Sequence, residues 1–397
     1  MLDKRKILNR ITKNKKFKVT INKPFNELNT KFLIDFSNEL KKDKKIYKFP
    51  ELFYLMFWCS KKNIIKLKNK HLNKKIRFGR GLAYHICPSN VPTNFIYSFF
   101  FGLLSGNSNI VKLPNKNFPE KELILNIFKN LFKKKKYKII KNSNSFIEYD
   151  KNNEYTKDIS SICDARIIWG GNKTINEVRK FWIPERSIEL TFADRYSLSI
   201  ININEIAKKN DDELKIIVKK FFYDSYSMNQ AACNSPHFIF WIGKKNVKFQ
   251  NKFWSKLNDF TSKHYSLDEK GAVDKYSNLI SNIFTQKKFD GVKIFKNNLY
   301  VIRPNKNLDK IENIRGIHGT FFEKNIVNIS YLKKFITKKC QTITYFGIKK
   351  NVIENFLNNS NLLGVDRIVP IGKGLEIDTV WDGYDTINSL SRIINLE

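Results

Sequence analysis

The 397-residue chain is poor in cysteine, with only Cys59, Cys87, Cys163, Cys233 and Cys340. These are an odd number, widely spaced, and no CxxC pair occurs, so neither a disulfide framework nor a zinc site is indicated. Long apolar runs are also missing. A membrane helix needs roughly 18 uninterrupted apolar residues, and the nearest stretch, Asn94–Leu104 (NFIYSFFFGLL), is too short to span. The basic N-terminus is not followed by an apolar run, which argues against a secretory signal and makes a cytoplasmic location the expectation. No GxGxxG occurs, so the ordinary dinucleotide fingerprint is absent. There is no internal repeat and no low-complexity linker. Acidic residues are scarce: 37 Asp+Glu against 73 Lys+Arg leave a net charge of +36.

That charge has two readings. One is a nucleic-acid or anionic-membrane surface. The other is compositional drift, since Lys, Asn, Ile and Phe are all abundant and all have A/T-rich codons. The lysines are spread along the chain, apart from short runs such as Lys133–Lys136, and this favours drift. Hydrophobic residues at 42% and aromatics at 14% predict a packed protein, and the length predicts two domains.

Residues 1–75 are Lys-rich and contain an amphipathic stretch, Phe49–Leu67, with apolar residues at helical spacing. They read as a helical layer on a domain. From Ile76 the pattern changes. LAYHIC is a strand candidate running into PSNVP, a turn held between two prolines. Thr93–Ser105 reads as a buried helix, SGNSN as a turn and IVKL as the next strand. This order is that of a parallel βαβ unit. Glu120–Phe132 is an amphipathic helix. Ala165–Ile168 is a strand ending in WGGN, followed by a helix over Lys173–Trp182. A second α/β segment has a strand at Tyr196–Ile203, a helix at Asp211–Tyr226, the turn MNQAACNSP and a strand at Phe238–Ile242. Residues 244–300 read as helical and charged, and the tail adds strands at Thr342–Phe346 and Asp366–Ile371.

Cys233 sits in a tight turn of small residues between a helix and a strand. Such a turn can present sulfur to a cleft with backbone N–H groups close by, lowering the thiol pKa and holding an oxyanion. The alternative is a buried, inert cysteine. Asn90, between two prolines after a strand, could donate to a developing O⁻, or it could be an ordinary turn residue. Lys112 ends the IVK strand, where α/β sheets bind ligands, and could hold a ribose or phosphate. Gly170 and Gly171 close a strand and open a helix, a place where backbone and helix dipole accept a pyrophosphate.

These signals occur in one order: HICPSNVP, LLSGNSNIVKLP, IIWGGN, IEL, NQAACNSP, CQTITYFG and GVDRIVPIGKGLEI…WDGYD. The order resembles the aldehyde dehydrogenase superfamily and, more closely, its acyl-CoA reductase (LuxC-like) family, from about Ile76 to the C-terminus. The resemblance implies an α/β, aldehyde-dehydrogenase-like fold of two α/β domains with the active site in the interdomain cleft. Residues 1–75 would be the N-terminal helical layer, 76–190 the dinucleotide-binding domain, 191–365 the catalytic domain, and 366–397 a segment packing back on the core.

It implies NAD(P)H-dependent reduction of an acyl thioester to an aldehyde, the donor being acyl-CoA or an acyl carrier protein. By resemblance, Cys233 is the nucleophile, Asn90 the oxyanion donor, Lys112 the ribose or 2′-phosphate contact, and Gly170 and Gly171 the pyrophosphate turn. Glu189 in IEL corresponds to the superfamily's general base, although Thr191 and Phe192 replace the two glycines expected after it. NADPH or NADH is the implied cofactor, with no metal and no membrane span, and a homo-oligomer is compatible. The alternatives are an aldehyde-oxidising dehydrogenase and a catalytically idle, basic nucleic-acid-binding relative.

Overall fold

The computed structural model describes residues 7–8, 11–12, 16–71, 75–88, 91–150, 154–286, 289–305 and 311–397. The chain divides into two units, Met1–Asp194 with Ile377–Glu397, and Arg195–Glu376.

After helical residues at 7–8 and 11–12, the first unit runs through the helices Glu27–Lys42 (α1), Pro50–Trp58 (α2) and Lys61–His71 (α3). The Phe49–Leu67 stretch is therefore two helices, not one. Its apolar period is helical throughout, but the chain turns at Ser60, whose hydroxyl accepts the Asn63 amide at 3.4 Å and starts α3. The strand Ile76–Gly79 (β1) comes next. Then follow Leu82–Ile86 (β2), Asn94–Leu104 (α4), Ser108–Lys112 (β3), Pro119–Lys133 (α5), Asn144–Ile147 (β4), Ala165–Trp169 (β5), Asn172–Arg179 (α6) and Ile188–Phe192 (β6).

Five strands form a wholly parallel sheet in the order β4-β3-β2-β5-β6. Every residue of β2 and β5 is buried, as expected of parallel strands covered on both faces. One face packs on Phe32, Phe36, Phe99 and Phe128, the other on Ile159, Ile162 and Ile175. Helix α4 lies inside the first of these clusters, so it is apolar all round rather than striped.

Helices α2 and α5 both enter through Phe-Pro-Glu, at Phe49–Glu51 and Phe118–Glu120, with proline at a position where its missing N–H costs nothing. Glu51 and Glu120 are both buried. Burial, reinforced by a hydrogen bond to Glu120, pushes the Glu51 carboxyl up to about 8. Glu120 Oε2 has no hydrogen-bond partner among the described residues. The folded unit thus keeps a proton that the unfolded chain releases near pH 4.5. Stability from this proton is complete below that pH and is lost as pH rises through 8. Glu51→Gln should flatten the fall of the melting temperature between pH 6 and 9 and melt above wild type at pH 9. A melting curve that tracks wild type across that range would remove this assignment.

The second unit contains Tyr196–Asn202 (β7), Asp211–Tyr226 (α7), Pro236–Ile242 (β8), Val247–His264 (α8), Glu269–Gln286 (α9), Phe289–Phe295 (β9), Leu299–Pro304 (β10), Thr320–Ile326 (β11), Cys340–Phe346 (β12), Lys350–Ser360 (α10) and Arg367–Pro370 (β13). These build a seven-stranded sheet, β13-β12-β7-β8-β11-β10-β9. All pairs are parallel except β9 with β10. Residues 244–300 are thus helical only to Gln286. β9 is an edge strand, mostly exposed, and its Asp290, Gly291 and Lys293 dilute any apolar alternation. Helix α7 begins at a capping box, in which the Asn210 side chain accepts the Glu213 amide and Glu213 returns to the Asn210 amide.

The tail then rejoins the first unit, where Ser391–Ile394 (β14) pairs antiparallel with β1. Trp58 Nε1 donates to the Ile377 carbonyl at 2.9 Å, and Lys70 meets Asp378 at 2.8 Å. Among the described residues no helix is long and apolar enough to cross a membrane, and no group of three or more His, Cys, Asp or Glu is arranged to hold a metal.

Candidate active site

In the second unit, α7 runs back to the amino edge of the sheet and ends at Tyr226. The chain reaches β8 through a turn in which Asn229 and Gln230 are both left-handed, with φ of 52° and 63°. Each costs roughly 1–2 kcal/mol for a residue with a Cβ, so the turn must be held from outside. It is held on three sides. The Asn229 carbonyl accepts the His318 amide at 3.1 Å. Its side-chain oxygen accepts the Tyr265 hydroxyl at 2.9 Å. Ser197 Oγ donates to the Cys233 carbonyl at 2.6 Å, and Asn234 Nδ2 donates to the Gly374 carbonyl at 2.8 Å.

The Gly372–Gly374 loop is fixed in turn by Asp224, on the last turn of α7, which accepts the Gly372 and Gly374 amides at 2.6 and 2.8 Å. Burial outweighs those amides and pushes the Asp224 carboxyl up to about 7.

All five cysteines are free thiols, and four are buried; Cys233 is the half-buried one. Burial pushes Cys87 and Cys340 up to about 12, and Cys59 well above its ordinary value. A thiol held neutral is a poor nucleophile. Exposure and a braced turn therefore distinguish Cys233 from the rest.

In the first unit the carboxyl ends of the parallel strands carry Lys112 and the Gly170–Gly171 turn. Lys112 stands opposite Ile86, and Ile86 opposite Ile168. Lys112 and the Gly170–Gly171 turn thus flank β2 at one sheet edge, about 10 Å apart by strand spacing. Lys112 Nζ donates to Asn115 Oδ1 at 3.1 Å and lies 5.1 Å over the Tyr149 ring. Gly171 caps α6 without a side-chain hydrogen bond, and a Cβ placed there would meet nothing within 4 Å. Open space before uncapped amides, with an ammonium group two strands away, suits the phosphates of a dinucleotide. Beneath it, Trp169 stacks on Phe192 at 3.8 Å and donates to Ser98 Oγ at 2.9 Å. Asn90 lies outside the described residues.

Glu189 is the second residue of β6, opposite Arg166 on β5. Its Oε2 accepts from Arg166 Nε at 2.8 Å and from Nη2, and its Oε1 accepts from Arg179 Nε at 2.7 Å. Both carboxylate oxygens are engaged by guanidinium groups.

Sequence reasoning did not single out Gln230, Asn234, Ser197 or Asp224. Gln230 and Asn234 sat inside the NQAACNSP motif, where two amides beside a nucleophile candidate were the available signal. Ser197 and Asp224 gave none, because their partners are distant in the chain.

A family model described as acyl-CoA reductase (LuxC) matches residues 66–393. The long-chain acyl-protein thioester reductase of Vibrio harveyi is 22% identical over 339 residues, covering 80% of this chain and 64% of that protein. The chain thus spans somewhat under two thirds of that relative's length. Among solved structures, the substrate-bound AldH of Staphylococcus aureus has a TM-score of 0.58 at 12% identity, covering 92% of this chain and 88% of that one. The salicylaldehyde dehydrogenase of Pseudomonas putida G7 has a TM-score of 0.63 at 10% identity, covering 92% and 84%. An oxidoreductase from Marinobacter aquaeolei has 0.64 at 10%, covering 98% and 90%. These likenesses show an aldehyde-dehydrogenase-like α/β fold.

Proposed function

The chain belongs to the acyl-CoA reductase (LuxC) family, and from that premise we propose that it reduces an acyl thioester to an aldehyde through a thioacyl intermediate on Cys233. The observation that carries the proposal is the Cys233 turn, where the one half-buried thiol of five stands on a backbone anchored at Asn229, Cys233 and Asn234.

The Cys233 sulfur attacks the thioester carbonyl, the donor thiol leaves with a proton, and the acyl group stays on sulfur. The Cys233 amide and the Asn90 side chain are the proposed donors to the oxyanion. A bound nicotinamide nucleotide supplies a hydride. With the hydride on the thioacyl carbon, the hemithioacetal alkoxide would expel the Cys233 sulfur as aldehyde leaves, and a proton from solvent would restore the thiol. Lys112, Gly170 and Gly171 are the residues proposed to hold the nucleotide. A basic edge at Lys112 supports NADPH as the preferred form. The proposed donor is acyl-CoA or an acylated protein, and the Vibrio harveyi relative, named as an acyl-protein thioester reductase, supports the latter. The proposed setting is the cytoplasm, which suits five free thiols.

Glu189 supports reduction over hydrolysis. It is the carboxylate that family resemblance offers for activating water, and Arg166 and Arg179 occupy it. An enzyme that must hand its acyl group to hydride is better served without that base.

The direct test mixes the protein with acyl-CoAs of several chain lengths in the absence of NADPH and reads the intact mass. The increment should equal the acyl group and map to the peptide carrying Cys233. Adding NADPH should then discharge it as aldehyde. No increment from any thioester, or discharge as carboxylic acid, would overturn the proposal.

A further inference from the structure

Gln230 lies three residues before Cys233 and is 1% exposed. A buried primary amide must find partners for two N–H groups and two lone pairs. All four are found. Nε2 donates to the Pro236 carbonyl at 3.1 Å and to the Thr320 carbonyl at 3.0 Å. Oε1 accepts the Gly319 amide at 3.0 Å and the Thr320 amide at 3.1 Å.

Pro236 and Thr320 are the first residues of β8 and β11, which are neighbours in the sheet. Proline has no N–H, so it cannot donate to the ladder where the two strands begin. The Gln230 amide supplies that donor from the side and acts there as an extra peptide group.

The loop on the other side of this contact is as constrained as the turn itself. His318 and Gly319 are left-handed, with φ of 52° and 80°. A Cβ at Gly319 would meet the Asn298 carbonyl and the Tyr226 hydroxyl, both at 2.4 Å. Two left-handed pairs, Asn229–Gln230 and His318–Gly319, are thus locked together by one side chain and by the His318 amide on the Asn229 carbonyl. Asn229 and Gly319 tolerate this conformation locally, but Gln230 has no such preference, and each pair is held by the other.

We propose that Gln230 is the positioning residue of the nucleophile. It fixes the backbone of the Cys233 turn against the opening of β8 and β11, so that the sulfur meets an acyl carbonyl at a set angle; this rests on Cys233 being the nucleophile. Gln230 touches no reacting atom, and its effect is exerted through the turn.

The test uses Gln230→Met, which keeps the length and removes all four hydrogen bonds, and Gln230→Glu, which keeps the accepting oxygen. In Gln230→Met, single-turnover acylation by acyl-CoA should fall by about 30-fold or more, since small misplacement of a nucleophile is costly. Iodoacetamide, a small electrophile with little demand on approach angle, should alkylate Cys233 within about threefold of wild type. NADPH affinity should be unchanged, and amide hydrogen exchange over residues 231–235 should be faster. Gln230→Glu should regain acylation relative to wild type as pH falls from 8 to 6, because the protonated acid can donate to one carbonyl, and Gln230→Met should not. Gln230→Asn, one methylene shorter, carries the same comparison should Gln230→Met fail to fold.

Acylation and exchange both at wild-type level in a folded variant overturn the positioning role. So does a loss of acylation matched by an equal loss of alkylation. If wild type itself takes no acyl group, the reading of the reaction fails instead, and faster or unchanged exchange in the variants still decides whether Gln230 holds the turn.

Discussion

Replacing Cys233 with Ala should abolish the acyl-enzyme and lower thioester reduction by about four to six orders of magnitude, the range seen when a covalent nucleophile is removed. NADPH affinity, followed by nucleotide fluorescence, should stay within about twofold, because the proposed nucleotide contacts, Lys112 and Gly170, do not include this sulfur. The fold should survive. The side chain is half-buried, and the turn is braced through the Cys233 carbonyl and the Asn234 amide, which alanine leaves in place. Cys87→Ala and Cys163→Ala are the controls. Both thiols are fully packed, and burial holds Cys87 neutral at up to about 12, so these variants should lose stability and keep turnover per folded molecule. Acylation of Cys233→Ala at even a few per cent of the wild-type rate would transfer the nucleophile to another residue.

The parts of the fold legible in the sequence were those whose signal is local. Leu82–Ile86, Ser108–Lys112 and Ala165–Trp169 are central parallel strands buried on both faces, so each carries a short apolar stretch (Leu82–Tyr84, Ile110–Val111, Ile167–Trp169) rather than a strict alternation. Asp211–Tyr226, read from the sequence as a helix, is one, with a capping box at its start. The edge strand Phe289–Phe295 did not, because an edge tolerates Asp, Gly and Lys that a central strand would exclude.

The candidate site divides in the same way. Cys233 was visible as a small-residue turn between a helix and a strand. What holds that turn was not, because Gln230 finds its partner Thr320 90 residues away and Asn234 finds Gly374 140 residues away. Local sequence shows that a turn must exist, and only tertiary hydrogen bonding shows which side chains keep it in one geometry.

Glu189 shows how far a motif can be from a role, and Glu189→Gln separates the two roles open to it. Arg166 is 3% exposed and Glu189 15%, so the pair is largely removed from water. Arg166 also donates to Ser160 Oγ at 3.2 Å and to the Phe181 carbonyl at 2.8 Å. Those neutral acceptors satisfy its hydrogens but not its charge. Removing the carboxylate therefore leaves a buried cation without a counter-charge, a change that costs about 3–5 kcal/mol. Gln can still accept one hydrogen bond, which places the expected loss near the lower end, about 3 kcal/mol by denaturant titration. The contact with Arg179, itself 54% exposed, adds little.

Turnover per folded molecule should be nearly unchanged if the carboxylate only braces β5 against β6. The double replacement Arg166→Met with Glu189→Leu should recover much of the lost stability, since an apolar pair of similar volume removes both charges together. A general base gives the opposite pattern: Glu189→Gln would be as stable as wild type, its chemistry would slow by about 10²–10⁴-fold, and the double replacement would recover nothing. Stability and single-turnover rates measured on the two singles and the double assign Glu189 to one role.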